Sequence, residues 1–275
     1  MPEILEVEAA RQVLAARALD RTIATVEAPD AWYLKRGLTP KVVSSVLPGR
    51  RFTAARRRGK LLLLATTAPE ERRATGADAA AAGPTLGLHL GMTGRILVDD
   101  DPAGDDLLYA SNREAAAWHR FTVRFVDGGA LAVRDPRRLG AVELDPDEER
   151  LGVDALDVNA ARLRSILERR RGPIKAVLLD QAGVAGLGNL LADEILWRAG
   201  LDPARPAAAL TRAEQARLAR AIGTALRVLG RRGGSHTGDL MAERQPGGRC
   251  PRDGAPLRRS TVGGRTSYSC PVHQR

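Results

Sequence analysis

The sequence predicts an α+β protein of several domains: an N-terminal antiparallel β-sandwich with an initial helix, a C-terminal helical domain and a terminal β-hairpin. Three observations predict this class. Short apolar or alternating runs broken by Gly, Pro and Asp fill the first 150 residues. Longer segments of helical periodicity follow, and both cysteines, Cys250 and Cys270, stand near the C-terminus. We therefore place the domains at residues 1–150, 151–244 and 245–275.

The first element is a helix from Glu3 to about Ala18. Its apolar residues recur at helical spacing, and acidic residues crowd its first turn, where they complement the helix dipole. The periodic positions are Ile4, Val7, Ala10, Leu14 and Ala18.

Short strands fill most of the next hundred residues. The runs that predict them are 23–26, 41–46, 60–64, 87–90, 95–98, 121–125 and 130–133. An antiparallel sandwich fits this series better than an alternation of strands and helices. Two inserts interrupt it, at Thr66 to Thr85 and at Asp99 to Asp106. We expect both to be mobile surface loops.

The predicted secondary structure changes from strands to helices after Pro146. Helices are predicted near 160–170, 174–180, 189–198 and 213–231, with Gly-rich turns between them. The tail from Gln245 to Arg275 has too few apolar residues to fold by burial alone, so it needs a cross-link or a metal. In a reducing compartment a metal is favoured over a disulfide, which stays the alternative.

The chain is strongly basic, with a formal charge of +10 and a pI of about 10.6. This balance favours a polyanionic partner, with nucleic acid ahead of an anionic membrane surface, although arginines on a solvated surface would give the same charge. The N-terminus lacks the features of a signal peptide, and no stretch reaches the roughly 18 apolar residues of a membrane span. We expect a cytoplasmic protein without a membrane partner.

Pro2 is the first residue along the chain that could take part in a reaction, although proline in the first turn of a helix is also a common structural choice. Removal of Met1 would expose a secondary amine, and α-amino groups have an unperturbed pKa of roughly 8. Such an amine can attack the anomeric carbon of a deoxyribose and form an iminium. Glu3 and Glu6 are then placed for proton transfer, whereas Glu8 is assigned to the surface. If Met1 persists, Pro2 is an amide and cannot attack.

The opening residues MPEILEVE resemble the N-terminal signature of the formamidopyrimidine-DNA glycosylase and endonuclease VIII family. The resemblance implies a bifunctional enzyme of base-excision repair that removes oxidised or ring-opened bases and nicks the strand by β,δ-elimination. It implies that Pro2 is the nucleophile, with Glu3 and Lys60 catalytic and Glu6 in support. Lys60, in RRRGKLLLL, is similar to the family lysine that contacts phosphate beside the lesion.

Two further motifs resemble the parts of the family that enter damaged duplex DNA. In HLGMTG, His89 is similar to a phosphate-binding histidine and Met92 to the residue that fills the gap left by the flipped base. In DPRRLG, Arg137 is similar to the arginine that faces the orphaned base. Leu139 stands where the family usually has Phe, which weakens stacking and leaves the opposite-base preference open.

The segment 174–197 resembles the helix-two-turn-helix of the family. Asn189 suits an N-cap, and the free amides at the start of its helix form a natural phosphate site. Glu194 stands at the family position that is expected to help orient the N-terminal proline.

The tail reads Cys250-x2-Asp253 and then Cys270-x2-His273, where the family usually places four cysteines around zinc. Cys, His and carboxylate all bind tetrahedral zinc, so these four residues are the expected ligands of one structural ion in a zinc-ribbon-like hairpin. Without a metal, the hairpin must be held by packing on the helical domain. Arg265 is similar to the family arginine that grips phosphates beside the flipped nucleotide. No organic cofactor is expected.

The connection at Met241 to Pro246 is shorter than in formamidopyrimidine-type members, which carry there a loop over oxidised guanine. Oxidised pyrimidines or alkylated purines are therefore alternative lesions. A non-catalytic damage-binding protein on the same scaffold is a further alternative, and a ribosome-associated zinc protein a distant one. The resemblance implies a monomer that binds damaged double-stranded DNA in the bacterial cytosol or nucleoid.

Overall fold

The computed structural model describes residues 2–68, 82–102, 115–168 and 170–275. The chain divides into two compact units. The first comprises Pro2 and residues 6–148, and the second comprises residues 3–5 and 149–275. The domain limits given above stay a prediction. The predicted inserts at 66–85 and 99–106 lie outside the described residues over 69–81 and 103–106.

The first unit contains two antiparallel sheets and two α-helices among its described residues, except that the first two residues of the first helix belong to the second unit. In chain order the elements are α1 (Ile4–Arg17), β1 (Ile23–Glu27), α2 (Pro40–Val46), β2 (Phe52–Arg58), β3 (Leu61–Thr66), β4 (Leu86–His89), β5 (Arg95–Val98), β6 (Asp101–Pro102), β7 (His119–Phe125), β8 (Ala130–Arg134) and β9 (Ala141–Leu144). One sheet has the order β1-β7-β8-β5-β6, and the other the order β2-β3-β4-β9.

One hydrophobic core serves both sheets of the first unit. Leu62, Leu64 and Leu88 of the four-stranded sheet are fully buried in the same cluster as residues of the five-stranded sheet. The rings of Phe52 and Phe125 meet edge to face with centroids 6.3 Å apart. The two sheets therefore share one core, as in a sandwich, and the predicted α+β class is confirmed.

The predicted strand at 41–46 is wrong, because this segment forms α2. Thr39 is the N-cap and accepts a hydrogen bond from the amide of Val42 at 3.2 Å, while Pro40 occupies the first helical turn. Proline preset for a helix and a capping threonine outweigh the strand preference of the β-branched valines.

The polar strand β2 and the short strand β9 are absent from the prediction. The sequence of β2, FTAARRR, lacks an apolar alternation, yet β2 pairs with β3 from Phe52 opposite Thr66 to Arg58 opposite Leu61. Its partner β3 is the most apolar strand of the sheet, so β2 is ordered through the ladder and not through its own hydrophobicity.

The second unit is built around four helices of the described residues. Its elements are β10 (Val153–Asp154), α3 (Ala160–Glu168), α4 (Ile174–Leu179), β11 (Val184–Ala185), α5 (Asn189–Ala199), α6 (Arg212–Arg231), β12 (Arg258–Val262) and β13 (Arg265–Ser269). The four helices lie where the sequence predicts them. Leu191, Ile195, Leu218 and Ile222 are fully buried between α5 and α6. Within the described ranges, no helix has both the length and the apolar character needed to cross a membrane.

The strands β12 and β13 form the predicted terminal hairpin. Beside them, Trp197, Leu240, Cys250 and Cys270 make a small buried cluster. The cluster is too small to fold a hairpin by burial alone, so the hairpin also depends on polar contacts with α4 and α5.

Candidate functional site

The carboxylate of Glu3 caps the N-terminus of α5. Its Oε2 accepts hydrogen bonds from the amides of Gly188 at 2.8 Å and Leu191 at 3.2 Å, and its Oε1 accepts one from Leu190 at 2.8 Å. Glu3 is fully buried, and all these atoms belong to the second unit. The residue that follows Pro2 is thereby fixed to the start of a helix, where negative charge is stabilised.

The predicted role of Asn189 as N-cap is wrong, because Gly188 occupies that position. The amides that the sequence analysis treats as a free phosphate site are also occupied in part, since Glu3 binds those of Gly188, Leu190 and Leu191. A Cβ on Gly188 would overlap the Glu3 carboxyl group, so only glycine allows this approach.

The side chain of Asn189 points to the hairpin instead. Its Nδ2 donates to the carbonyl of Thr266 at 3.0 Å, and Nζ of Lys175 donates to the same carbonyl at 2.8 Å. The Oδ1 of Asn189 is buried and finds no partner among the described residues. Thr266 directly follows Arg265, which is exposed. Two side chains of the helical part therefore hold the backbone beside this arginine.

Asp193 is the centre of a buried charge cluster beneath the hairpin. Its carboxylate lies 2.7 Å from Nζ of Lys175 and 2.8 Å from Nη2 of Arg244, and it accepts the hydroxyl of Ser267 at 2.9 Å. Burial lowers the pKa of Lys175, although Asp193 acts in the opposite direction. Removal of one partner would leave an uncompensated buried charge, so the cluster specifies where β13 docks.

Glu194 also binds backbone amides in the second unit. Its carboxylate accepts from the amides of Asp239 at 3.1 Å and Leu240 at 2.9 Å, and from Nε of Arg198 at 2.6 Å. It therefore holds the segment that follows α6 against α5. Its predicted role in orienting Pro2 stays a prediction.

Cys250, Asp253, Cys270 and His273 come together as the spacing predicts. One ligand atom from each lies within 4.8 Å of all the others. Nδ1 of His273 is 2.9 Å from Oδ2 of Asp253 and 3.5 Å from Sγ of Cys250. Both cysteines are free thiols, and burial raises the pKa of Cys270. Two thiols, one carboxylate and one imidazole at these separations suit a tetrahedral zinc ion.

Trp197, in α5, contacts two residues of this cluster through its side chain and its backbone. The indole Nε1 donates to Sγ of Cys250 at 3.2 Å, and Nε2 of His273 lies 3.2 Å from the carbonyl of Trp197. A hydrogen on Nε2 leaves Nδ1 free to face the other ligands, which is the arrangement of a metal-binding histidine.

The N-terminal candidates of the first unit are partly or fully enclosed. Pro2 is buried, and Glu6 and Lys60 are half-buried. Lys60 occupies, with Gly59, the tight turn between β2 and β3 and directly precedes the first residue of β3. Gly59 has a φ of +57°, the left-handed region that glycine favours in such turns.

The predicted surface position of Glu8 is wrong, because Glu8 is half-buried and anchors the turn that carries Lys60. Its carboxylate accepts from Nε of Arg57 at 3.1 Å, and Nη1 of Arg57 donates to the carbonyl of Gly59 at 3.0 Å. Partial burial alone would raise the pKa of Glu8, yet hydrogen bonds from Arg11 and Arg57 lower it. An acidic residue near the Pro-Glu pair was the only signal in the sequence.

His89 ends β4 with a defined ring orientation. The amide of Gly91 donates to its Nδ1 at 3.1 Å, so Nε2 carries the proton of the neutral ring. That N–H is the donor that a phosphate oxygen requires.

Met92, Arg137 and Leu139 lie on two loops of the first unit, and all three side chains are exposed. Met92 is 39% exposed and Leu139 is 46% exposed, which is unusual for large apolar residues. The loops meet closely, because a Cβ on Gly91 would overlap the backbone of Leu139.

Family models match both parts of the chain. The formamidopyrimidine-DNA glycosylase N-terminal domain matches residues 1–142, and the formamidopyrimidine-DNA glycosylase H2TH domain matches residues 151–239. The formamidopyrimidine-DNA glycosylase of Paracoccus denitrificans is 35% identical over 100% of both chains. That of Nocardia farcinica is 33% identical over 98% of this chain and 97% of the relative.

Solved structures of similar proteins contain DNA. The Lactococcus lactis Fpg (MutM) in complex with a Fapy-dG-containing DNA has a TM-score of 0.78 and 26% identity over 99% of this chain and 100% of that chain. The wild-type protein of the same organism with an oxidised pyrimidine-containing DNA has a TM-score of 0.77 and 26% identity, with 100% of both chains covered.

Proposed function

Since the chain belongs to the formamidopyrimidine-DNA glycosylase family, it is a DNA glycosylase of base excision repair, and we propose that Pro2 is its nucleophile. Removal of Met1 frees the Pro2 nitrogen as a secondary amine. The amine attacks C1′ of the damaged nucleotide and loses its proton, while the base leaves with the electron pair of the glycosidic bond and takes up a proton. The C1′–O4′ bond then breaks as O4′ is protonated, and the nitrogen lone pair forms the C1′=N double bond of an iminium. The resulting iminium acidifies the C2′ proton, and elimination of the 3′ and then the 5′ phosphate nicks the strand.

The three amide hydrogen bonds of Glu3 carry this proposal. They fix the residue next to Pro2 in a fully buried position, so the nucleophile starts from a defined backbone geometry. Reactive groups gain most from such preorganisation when their support is itself buried. Because both oxygens of Glu3 already accept hydrogen bonds, its role is to position Pro2 and to stabilise the developing positive charge.

Lys60 and Glu6 complete the proposed catalytic group. Lys60 would bind the phosphate beside the lesion from the turn that Arg57 and Glu8 fix. Glu6, one helical turn after Glu3, would relay the protons that leave the Pro2 nitrogen and C2′.

Six further residues are proposed to bind DNA. Nε2–H of His89 would donate to a phosphate, and the exposed side chains of Met92, Arg137 and Leu139 would fill the space of the everted nucleotide. Asn189 and Arg265 would contact phosphates from the second unit. The formal charge of +10 supports a polyanionic partner.

We propose that one structural zinc ion is held by Cys250, Asp253, Cys270 and His273. The ion would cross-link the two ends of the hairpin, which lacks a large apolar core. The donor set supports it, since all four ligand atoms fall within 4.8 Å and the Trp197 carbonyl orients the histidine. The same hairpin presents Arg265, so the ion would act on DNA binding and not on bond cleavage.

Oxidised or ring-opened purines are the proposed lesions, and oxidised pyrimidines are the second candidate. The short connection at Met241 to Pro246, which contains only the single turn Met241–Glu243, favours the second. A panel of duplexes with ring-opened guanine, 8-oxoguanine and oxidised pyrimidines distinguishes the two by single-turnover excision rate. We propose further that the protein is a monomer and that it acts in the bacterial cytosol or nucleoid, a location that the bacterial origin of its relatives supports.

Borohydride trapping on abasic duplex DNA tests the nucleophile. The protein without Met1, verified by mass spectrometry, should form a covalent adduct, and Pro2→Gly should lower its yield about tenfold or more. Pro40→Gly, at the start of α2, is the matched control and should trap normally. If the unsubstituted protein binds abasic DNA without forming an adduct, it is a damage-binding protein and the proposed chemistry is refuted.

A further inference from the structure

We propose that Asp135 is a positioning residue that clamps the loops of Met92 and Leu139 together, so that both side chains enter damaged duplex DNA as one unit. The inference rests on the proposed DNA-binding role of these two residues. Asp135 itself is fully buried, so it does not touch DNA.

The carboxylate of Asp135 collects five hydrogen bonds within the first unit. Its Oδ1 accepts from the hydroxyl of Thr93 at 2.6 Å and the amide of Arg137 at 3.1 Å. Its Oδ2 accepts from the amides of Leu139 and Gly140, both at 2.8 Å, and from the hydroxyl of Tyr33 at 3.3 Å.

Four of these donors come from the two loops that carry Met92 and Leu139, called the insertion loops below, and the fifth is Tyr33. Thr93 directly follows Met92, whereas the amide of Leu139 belongs to the second loop. The two oxygens of one carboxylate therefore fix the backbone spacing between the two exposed apolar side chains. Gly91 packs against the backbone of Leu139, which brings the loops into direct contact as well.

Arg138, between Arg137 and Leu139, directs its side chain to Asp30. Arg138 has a φ of +57° and forms an ion pair with Asp30, whose pKa is lowered by that guanidinium. A left-handed residue held by an ion pair makes a sharp bend, which leaves the side chains on either side of it exposed. The loop conformation is thus set at two points, by Asp135 inside and by Asp30 outside.

A fixed loop matters in this chain because Leu139 is not aromatic. Leucine fills the space of an everted base by contact and without the stacking of an aromatic ring. A flexible loop would become ordered on insertion, and the conformational entropy that it loses would offset part of the favourable contact free energy. A loop already fixed by a buried carboxylate avoids this cost, so insertion rate should depend on Asp135.

Asp135→Asn tests the clamp with little change in shape. The new NH2 group is best tolerated in the place of Oδ1, because the Thr93 hydroxyl can rotate there and accept a hydrogen bond from it. In that place the NH2 group faces the backbone N–H of Arg137, which loses its acceptor. Thr93→Val removes the other link and keeps side-chain volume, and Thr93→Ser is its matched control because it keeps the hydroxyl.

Insertion is measured by stopped flow with duplex DNA that carries 2-aminopurine beside a stable tetrahydrofuran abasic analogue. Asp135→Asn should slow the fluorescence change about tenfold and Thr93→Val several-fold, whereas Thr93→Ser should match the unsubstituted protein. Borohydride trapping on a single-stranded abasic oligonucleotide, which needs no insertion, should change less than about twofold.

Insertion at the unsubstituted rate in both Asp135→Asn and Thr93→Val would overturn the proposal. If Asp135→Asn fails to fold by near-UV circular dichroism, the comparison of Thr93→Val with Thr93→Ser decides instead. A lack of any trapped adduct in the unsubstituted protein would refute the role of Pro2 alone, because the fluorescence signal does not require bond cleavage.

Discussion

The carboxylate of Glu8 accepts a hydrogen bond from Nε of Arg57 at 3.1 Å, and this pair connects α1 to the turn of Lys60. Arg57 is nearly buried, with 6% of its side chain exposed, and its second contact is the carbonyl of Gly59 in that turn. The helix that begins beside Pro2 therefore holds the neighbourhood of Lys60 through one ion pair.

Glu8→Gln should slow borohydride trapping about fivefold without abolishing it. The neutral amide accepts a weaker hydrogen bond from Arg57, at a cost of about 1 kcal/mol, so the Lys60 turn becomes less well fixed. Arg11→Gln is the control, because it removes the neighbouring contact of Glu8 and a long hydrogen bond to the carbonyl of Ala55 but leaves Arg57 bound to Glu8, and it should trap within about twofold of the unsubstituted rate. Equal rates for the two variants would contradict the positioning role of Glu8.

Glu3→Gln should lower the free energy of unfolding by about 1–3 kcal/mol, because its amide nitrogen must face at least one backbone N–H of α5 without an acceptor. Urea unfolding measures this, and trapping on abasic DNA should fall with it. The exposed Glu168→Gln should change stability by less than about 0.5 kcal/mol. Unchanged stability of Glu3→Gln would show that the cap is unimportant.

Asp253 should be the weakest of the four zinc ligands. Asp253→Ala is expected to lower zinc affinity at least about tenfold, and Asp253→Cys to raise it, because thiolate binds zinc more strongly than carboxylate. Chelator competition followed by metal analysis gives the affinities. Fluorescence of Trp197, which donates to Cys250 at 3.2 Å, should change as zinc is withdrawn. Zinc affinity independent of residue 253 would exclude this carboxylate as a ligand.

The cap of α6 predicts an acid-sensitive contribution to stability. Hydrogen bonds from Arg205 lower the pKa of Glu214 from 4.5 to about 2, and Thr211 contributes through the capping box. A depressed folded-state pKa gives stability that is complete above pH 4.5 and is lost as pH falls toward 2. Glu214→Gln should cost about 1 kcal/mol at neutral pH. Urea unfolding measures the difference in the free energy of unfolding between Glu214→Gln and the unsubstituted protein, and this difference should vanish near pH 2. A difference that stays constant with pH would refute the acid-sensitive cap.

Patterns within short stretches were enough to predict much of this protein. The periodicity of residues 4–18 predicts α1, the Gly-rich turn before Asn189 predicts the start of α5, and the cysteine spacing predicts the ligand cluster. The family resemblance is confirmed by the matching family models. Each of these signals is local, because helix spacing, turn residues and metal-ligand pairs lie within a few residues of one another.

The errors have two different sources. The valines of 41–46 favour a strand, but the adjacent Pro40 and the Thr39 cap make a helix, so one local signal outweighs another. The arginines of β2 give no strand signal, yet pairing with the apolar β3 orders them, so here the tertiary context decides.

The residue types at the N-terminus, in the two insertion loops and in the hairpin follow from the sequence, and so does the chemistry that they permit. Their partners depend on the fold: Glu3 binds the amide of Gly188, 185 residues away, and Arg57 binds Glu8, 49 residues away. A buried carboxylate must be satisfied by whichever donors the fold brings to it, and that pairing depends on which distant segments meet.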